Sequence, residues 1–361
     1  MRSVVNYAKE ETRSFKEFPF NNVDSLIFSI ISYYELDNIP GLFSHGKKQI
    51  KDIDLNNADK YIKYLGDKKK YKILLNNIVN NPRYNILYLD NYYEKESIEE
   101  EMQFKALTIE NDDFIYISFM GTKASLISWK EDFNMAYLSP IPSQKLALKY
   151  LNKVMLETTK RVYVGGHSKG GNLAVYASSK THFLNQLRIK KVFSHDGPGF
   201  TKKFFESKKY HFIKNKIDKT IPASSIVGTL FYSDEPYKII KASGFGPAQH
   251  TPVNWLVNNS EFVYLNDTSI SSKHFDSAVT NWIDSLTVDE RIKFVNAIYQ
   301  VLSDNNFDAI NIPEKKYFKI YSSIRKGIKN LDDETRTMVI EILKRLAYYE
   351  KLNIIKKGND E

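Results

Sequence analysis

Gly166-His167-Ser168-Lys169-Gly170 is the stretch of this chain whose residue types and spacing best suit chemistry. The apolar run before it predicts a short buried strand at 161–165, and the residues after it have the apolar spacing of a helix at 170–180. A serine on such a sharp strand-to-helix turn exposes its hydroxyl at the positive end of the helix. Ser168 is therefore predicted to be a nucleophile, and the ordinary alternative is a serine that caps a helix.

A serine nucleophile needs a base and a carboxylate to orient that base, and behind such a turn the chain order is serine, acid, histidine. His250 is the predicted base because it lies in an irregular loop, where catalytic groups concentrate. His274, in the first turn of a predicted helix, is the alternative. Asp196 follows the predicted strand 191–195 and is the predicted acid, with Asp234 in a later turn as its rival.

The negative charge of a tetrahedral intermediate needs backbone N–H donors. Lys169, which follows the nucleophile, is predicted to supply one of them. The loop 119–122, after an earlier predicted strand, is predicted to supply the other, because Gly121 lets the backbone approach and Thr122 can add its hydroxyl. This chemistry requires no cofactor and no metal ion.

The elements around these residues change period along the chain. Apolar patterns predict strands at 84–89, 104–109 and 114–119, and the turn residues at 111–113 predict an antiparallel hairpin between the last two. Strands and helices then alternate, which indicates a parallel sheet with helices on both faces. A mostly parallel sheet with antiparallel leading strands is the layout of an α/β-hydrolase, so the predicted fold class is α/β.

The helical patterns at the two ends of the chain predict the domain organisation. A helix is expected over 25–34, with Asp24 as its N-cap, and from about residue 270 onward the spacing is helical throughout. We predict one hydrolase domain at 1–305, which includes the N-terminal helical segment, and a C-terminal helical region at 306–361.

Composition limits the classes of partner and compartment. The formal net charge of +9 favours anionic partners such as a lipid surface, and no nucleic-acid-binding motif accompanies it. The chain has no cysteine, so disulfides and thiol nucleophiles are excluded. No secretory signal and no long apolar run are visible, so a cytoplasmic location is expected, with signal-independent secretion as the alternative.

Two groups of motifs resemble known families. Phe119-Met120-Gly121-Thr122 followed by Trp129-Lys130-Glu131-Asp132 is similar to the signature of class 3 lipases. The longer set resembles a bacterial branch of lipase relatives, the Mbeg-like family, over roughly residues 20–300. It comprises His167-Ser168-Lys169-Gly170-Gly171-Asn172-Leu173-Ala174, Asp196-Gly197-Pro198-Gly199-Phe200, Ser225-Ile226-Val227-Gly228 and Gln249-His250.

The resemblance implies Ser168 as nucleophile, His250 as base, and Thr122 with Lys169 as the oxyanion hole. Class 3 lipases carry their acid in an aspartate-rich segment before a V-P pair. The corresponding stretch here, 222–227, has no carboxylate, which favours Asp196 as the acid.

These residues predict a serine esterase or lipase that acts on acyl-lipid esters through an acyl-enzyme, with phospholipids among its substrates and contact with an anionic membrane as an option. One alternative is a catalytically silent binding or export-adapted module, whose C-terminal helices contact a protein partner. The other is an acyltransferase.

Overall fold

A computed structural model describes residues 1–39, 41–42, 46–123, 125–304 and 325–358, without the side chains of 270, 271, 273–276 and 350–358. The strands of the described residues are β1 (Arg2–Ser3), β2 (Lys48–Gln49), β3 (Tyr88–Ser97), β4 (Met102–Glu110), β5 (Phe114–Phe119), β6 (Arg161–His167), β7 (Ile189–His195), β8 (Ile217–Pro222), β9 (Tyr237–Ile240), β10 (Leu256–Asn258), β11 (Glu261–Phe262) and β12 (Tyr264–Leu265).

Helices precede, separate and follow these strands, and residues 325–330 are also helical. The α-helices are α1 (Val4–Glu10), α2 (Asn22–Ile31), α3 (Ala58–Tyr61), α4 (Lys68–Asn80), α5 (Leu126–Asn134), α6 (Pro142–Glu157), α7 (Lys169–Lys180), α8 (Phe183–Arg188), α9 (Lys208–Lys214), α10 (Ile270–Asp284), α11 (Val288–Asp304) and α12 (Asp333–Gly358). In the described part of the chain, no helix combines the length and apolar character that crossing a bilayer demands.

The central sheet has the strand order β12-β9-β8-β7-β6-β5-β4-β3-β2. Strands β5 to β9 run parallel to one another, whereas β2, β3 and β4 pair antiparallel and lead into β5, and β12 pairs antiparallel with β9. This arrangement confirms the predicted α/β-hydrolase fold. Because consecutive parallel strands end at one edge, the loops after β6 and β7 are brought together there.

Strand β5 shows how the sheet separates two apolar layers. Its residues are buried on both faces, and alternate side chains enter different clusters. Phe114 and Tyr116 pack in the cluster that contains helix α2, and Ile115 and Ile117 pack in the one that contains α6 and α7. Full burial of each such side chain contributes about 1.5–3 kcal/mol, so the sheet is a firm support for the loops at its edge.

The predicted N-cap at Asp24 is wrong, because the helix begins at Asn22 and its cap is Asn21. The side chain of Asn21 accepts hydrogen bonds from the backbone N–H groups of Val23 and Asp24. Asp24 is instead fully buried and forms an ion pair of 2.6 Å with Arg83. Its carboxylate therefore ties α2 to the segment after α4.

Two strand predictions also need correction. Of the predicted strand 84–89, only Tyr88 onward pairs in the sheet, because Tyr84 and Leu87 are buried from a turn instead. Strand β8 was not predicted, because its buried residues include Asp218, whose carboxylate Lys191 reaches at 2.5 Å. The predicted domain boundary at 305–306 lies outside the described residues and stays a prediction.

The C-terminal helices form a layer of their own. Trp282 of α10 donates a hydrogen bond of 2.9 Å to the carbonyl of Ile342 in α12, and Arg345 of α12 pairs with Glu290 of α11 at 2.8 Å. A small apolar cluster that includes Val301 and Val339 lies between them. We call these three helices the roof, because they cover the cavity described below.

Candidate active site

Ser168 stands between strand β6 and helix α7 with φ +58° and ψ −133°. Few residues other than glycine adopt a positive φ, and such strain is characteristic of functional turns. The turn is tight on both sides. A Cβ atom at Gly166 would lie 2.3 Å from the backbone of Gly170, and one at Gly170 would lie 2.1 Å from the carbonyl oxygen of Phe119. The two glycines of the motif are therefore required by close backbone approach.

His250 and Asp196 meet at the same edge of the sheet. His250 ends a 3₁₀ turn (Gly246–His250), and its Nδ1 lies 2.6 Å from Oδ2 of Asp196, the residue directly after β7. Nδ1 donates this hydrogen bond, so the neutral ring presents Nε2 as an acceptor. The structure thus brings the predicted acid against the predicted base.

The carboxylate of Asp196 is fully buried and held from its other side. Its Oδ1 accepts hydrogen bonds from Oγ of Ser225 at 2.5 Å and from the backbone N–H of Gly228 at 3.1 Å. A Cβ at Gly228 would lie 2.2 Å from that oxygen, so the position needs glycine. The stretch 222–227, which contains no carboxylate of its own, therefore lies beside the carboxylate of Asp196, which follows β7.

The alternatives to this pair lie elsewhere or beyond description. Asp234 is at the surface, where Nζ of Lys214 lies 2.9 Å from its carboxylate. The side chain of His274 lies outside the described residues.

His167 supports His250 from behind, a role that the sequence did not predict. Its ring centroid lies 4.6 Å from that of His250, and its Nε2 donates a hydrogen bond of 2.8 Å to the His250 carbonyl. The hydroxyl of Tyr33 lies 2.9 Å from its Nδ1 and donates to it. Burial, and then the charge of His250, hold the pKa of His167 well below its usual range. His167 is therefore neutral and fixed as a single tautomer.

The predicted oxyanion loop follows β5. Thr122 donates its hydroxyl to Oδ2 of Asp132 at 2.6 Å, and Gly121 is so close to Tyr33 that a Cβ would lie 2.0 Å from the tyrosine oxygen. Burial raises the pKa of Asp132 to about 6, although the charge of Lys169 opposes the shift. A hydroxyl that donates to an ionised Asp132 has no second proton for an oxyanion, so it can help only when Asp132 is protonated.

Lys169 contributes a buried charge beside the nucleophile. Its Nζ lies 2.8 Å from Oε2 of Glu131 in α5, and the two side chains are 1% and 0% exposed. The ammonium also donates to the carbonyl of Gln103 at 2.9 Å, and Glu131 accepts from the backbone N–H of Ser143 at 2.9 Å. Buried ion pairs persist only with such additional hydrogen bonds. This pair fixes the residue whose N–H is the predicted oxyanion donor.

Ser168, His250, Lys169 and Thr122 all line one cavity of about 780 Å³. Its size falls within the range of small-molecule sites, and most of its exposed lining is apolar. Helices α5, α10, α11 and α12, with the turn between α10 and α11, contribute much of that apolar lining: Trp129, Phe133, Val279, Trp282, Ile283, Leu286, Phe294, Val295 and Leu346. Among the described residues, no cluster of three or more His, Asp or Glu side chains is arranged to hold a metal ion.

The sheet order and the strand-to-helix turn at Ser168 define the α/β-hydrolase fold, and Ser168, His250 and Asp196 lie at one edge of its sheet. The chain belongs to the Mbeg1-like family, whose model matches residues 78–300. The matched region contains the three residues and ends before helix α12.

Several solved lipases have similar structures. M37 lipase aligns with a TM-score of 0.37 at 16% identity, over 58% of this chain and 70% of that one. Lip2 lipase from Yarrowia lipolytica aligns at 0.32 and 15%, over 45% and 69% of the two chains. The Rhizomucor miehei lipase propeptide complex aligns at 0.32 and 18%, over 45% and 60%. No curated protein matches this chain.

Proposed function

We propose that this protein is a serine hydrolase that cleaves carboxylic esters of acyl lipids, phospholipids among them, through an acyl-enzyme intermediate. The observation that carries the proposal is the 2.6 Å hydrogen bond between His250 and Asp196, in the wall of the cavity where Ser168 stands on its elbow. A serine hydroxyl is a poor nucleophile until a base takes its proton. An oriented histidine supplies that base.

In the first half of the reaction, Nε2 of His250 takes the proton of Ser168 while Oγ bonds to the ester carbonyl carbon. The carbonyl π electrons move to oxygen, and the oxyanion accepts hydrogen bonds from the backbone N–H groups of Lys169 and Thr122. When the intermediate collapses, the C–O bond to the alcohol breaks. The alcohol leaves with the proton from His250, and the acyl group stays on Ser168.

In the second half, water replaces the alcohol. Nε2 of His250 takes a proton from water as its oxygen bonds to the acyl carbon, and the proton then passes to Oγ of Ser168 as the acid leaves. Asp196 stabilises the imidazolium in both halves. Its own position is held by Ser225 and Gly228, so the carboxylate is preorganised before substrate binds.

The apolar lining of the cavity supports an acyl chain as the bound group. Removing apolar surface from water contributes about 0.8 kcal/mol per CH₂ group, so a chain of several carbons can supply much of the binding energy. Val279, Leu286 and Val295 line this side of the cavity with aliphatic groups, and each is under a tenth exposed.

The first test is replacement of the nucleophile. The Ser168→Ala variant should hydrolyse a panel of p-nitrophenyl esters at least about 10⁴-fold more slowly than the wild type, with an unchanged circular dichroism spectrum. Ser243→Ala, at an exposed serine outside the cavity, is the matched control and should keep wild-type rates. Wild-type rates in Ser168→Ala would reject the assignment. Products that carry the acyl group on an added alcohol would indicate acyl transfer rather than hydrolysis.

A further inference from the structure

Three cationic side chains line the cavity above Ser168: Lys123, Lys169 and Arg291. A cation beside apolar walls is costly unless it has a partner of opposite charge. Whether each of the three cations indicates an anionic ligand therefore depends on the groups that it contacts.

The two lysines already have carboxylate partners. Lys169 pairs with Glu131 at 2.8 Å, and Lys123 lies 3.3 Å from Glu94 and 3.6 Å from Glu35. Their charges are balanced within the protein. Neither lysine gives a reason to expect an anionic ligand.

Arg291, on helix α11, has a different environment. Its Nη1 and Nη2 atoms donate to the backbone carbonyls of Ala136 and Ile283, at 3.0 and 2.5 Å. Its Nε is buried and has no hydrogen-bond partner among the described residues. The neighbouring acid, Glu290, is engaged by Arg345 at 2.8 Å and by the backbone N–H of Thr287 at 2.8 Å.

The described residues thus place no carboxylate against Arg291, although carbonyls at the end of α10 offset part of its charge. A guanidinium forms its strongest contacts with the oxygen pairs of phosphate and carboxylate groups. The apolar side chains of Phe294, Val295 and Leu286 line the same cavity. A ligand that satisfies both features has a hydrocarbon chain and an anionic group.

We propose that the cavity binds an anionic amphiphile, with one acyl chain against the roof and a phosphate or carboxylate group on Arg291. This inference deepens the proposed function, on which it rests, because it selects acyl esters with a negative charge over uncharged ones. Arg291 acts here as a specificity residue. It takes no part in the bond-breaking steps at Ser168.

A purely structural role for Arg291 makes a different prediction. If Arg291 only joins the end of α10 to the turn after α5, its replacement lowers the melting temperature and leaves ligand preference unchanged. Binding measured on a variant that cannot turn over separates the two roles. It also separates this inference from the proposed chemistry, since no hydrolysis is needed.

The experiment titrates full-length Ser168→Ala protein by calorimetry with dodecyl phosphate, 1-dodecanoylglycerol and inorganic phosphate, each lipid below its micelle concentration. Dodecyl phosphate should bind about tenfold or more tightly than the glycerol ester, which is the range of a charge-assisted hydrogen bond. Inorganic phosphate should bind much more weakly than dodecyl phosphate. Tight binding of inorganic phosphate would identify a site for free anions and would overturn the proposal that the ligand is an amphiphile.

Adding Arg291→Gln to the Ser168→Ala protein should weaken the binding of dodecyl phosphate by about tenfold and leave the affinity for the glycerol ester unchanged. Arg291→Lys keeps the positive charge and tests whether the site still folds. Its affinity for dodecyl phosphate should fall between those of the parent and of Arg291→Gln. Lys293→Gln, an exposed lysine on the same helix paired with Asp289, is the matched control and should bind like the parent. Equal affinity for the two lipids, or equal loss for both in Arg291→Gln, would overturn the proposal whether or not the wild type hydrolyses esters.

Discussion

The floor of the cavity and its roof are built on opposite principles. On the floor, the residues after β6 and β7 are held by backbone strain and by short hydrogen bonds: Ser168 and Asp196 both have positive φ, and Asp196 receives three donors. In the roof, apolar side chains from three helices meet, with few polar contacts such as Trp282 to Ile342. On the floor, the positions of individual atoms are fixed by hydrogen bonds. In the roof, apolar packing fixes only the outline of the cavity.

Because of this contrast, substitutions on the floor and in the roof should affect different kinetic constants. A polar network in a low-dielectric site loses most of its effect when one member is removed. An apolar wall loses contacts in proportion to the atoms deleted. Changes on the floor should therefore lower kcat, whereas changes in the roof should raise KM.

The sharpest test on the floor is Asp196→Asn, which keeps the shape but removes the charge that orients His250. The kcat for a p-nitrophenyl ester should fall roughly 10³- to 10⁴-fold with little change in KM. Asp234→Asn, at the surface carboxylate paired with Lys214, is the matched control and should stay near wild type. If Asp234→Asn were the damaging variant instead, the assignment of the acid would be wrong.

The buried pair Lys169–Glu131 should govern stability more than any surface pair. Glu131→Gln leaves a buried ammonium without its carboxylate, so the free energy of unfolding should drop by about 3–5 kcal/mol in urea titrations. Asp289→Asn, which breaks the exposed pair with Lys293, should change it by less than about 1 kcal/mol. Equal effects of the two substitutions would show that the pair beside the nucleophile is not desolvated.

Asp132 should make stability depend on pH. Its pKa is raised from 3.8 to about 6, so between those values the folded chain keeps a proton that the unfolded chain has lost. Its contribution is complete below about pH 4 and declines as pH rises through 6, by about 3 kcal/mol in all. The difference in unfolding free energy between Asp132→Asn and wild type should therefore move in favour of the variant over that range. A difference that is constant with pH would rule out the raised pKa.

In the roof, Trp282→Ala should have the smallest effect of the set. Loss of the ring enlarges the cavity, so KM for a long-chain ester should rise by about tenfold, while kcat for a short-chain ester stays within about twofold. Tyr348→Ala, at an exposed ring on α12, is the control. A fall in kcat for short-chain esters would mean that the roof also positions the floor.

The same contrast explains what sequence could predict. The strand-to-helix turn at Ser168 is a local pattern of strand, glycines and helix. The alternation of strand and helix patterns along the chain likewise predicted the parallel sheet. Contacts between distant residues have no such local pattern. Ser225 beside Asp196 and Glu131 beside Lys169 became visible only when the sheet brought them together. Strand β8 escaped prediction because its buried Asp218 and Lys219 look like surface residues.

The central claim is that Ser168 is an activated nucleophile. The most direct test is to treat the full-length protein with a fluorophosphonate and to map the adduct by peptide mass spectrometry. We predict a single adduct on Ser168, formed at least about 10²-fold more slowly in His250→Ala and at the wild-type rate in His182→Ala, whose histidine is exposed. An unlabelled Ser168, or labelling that is indifferent to His250, would contradict it.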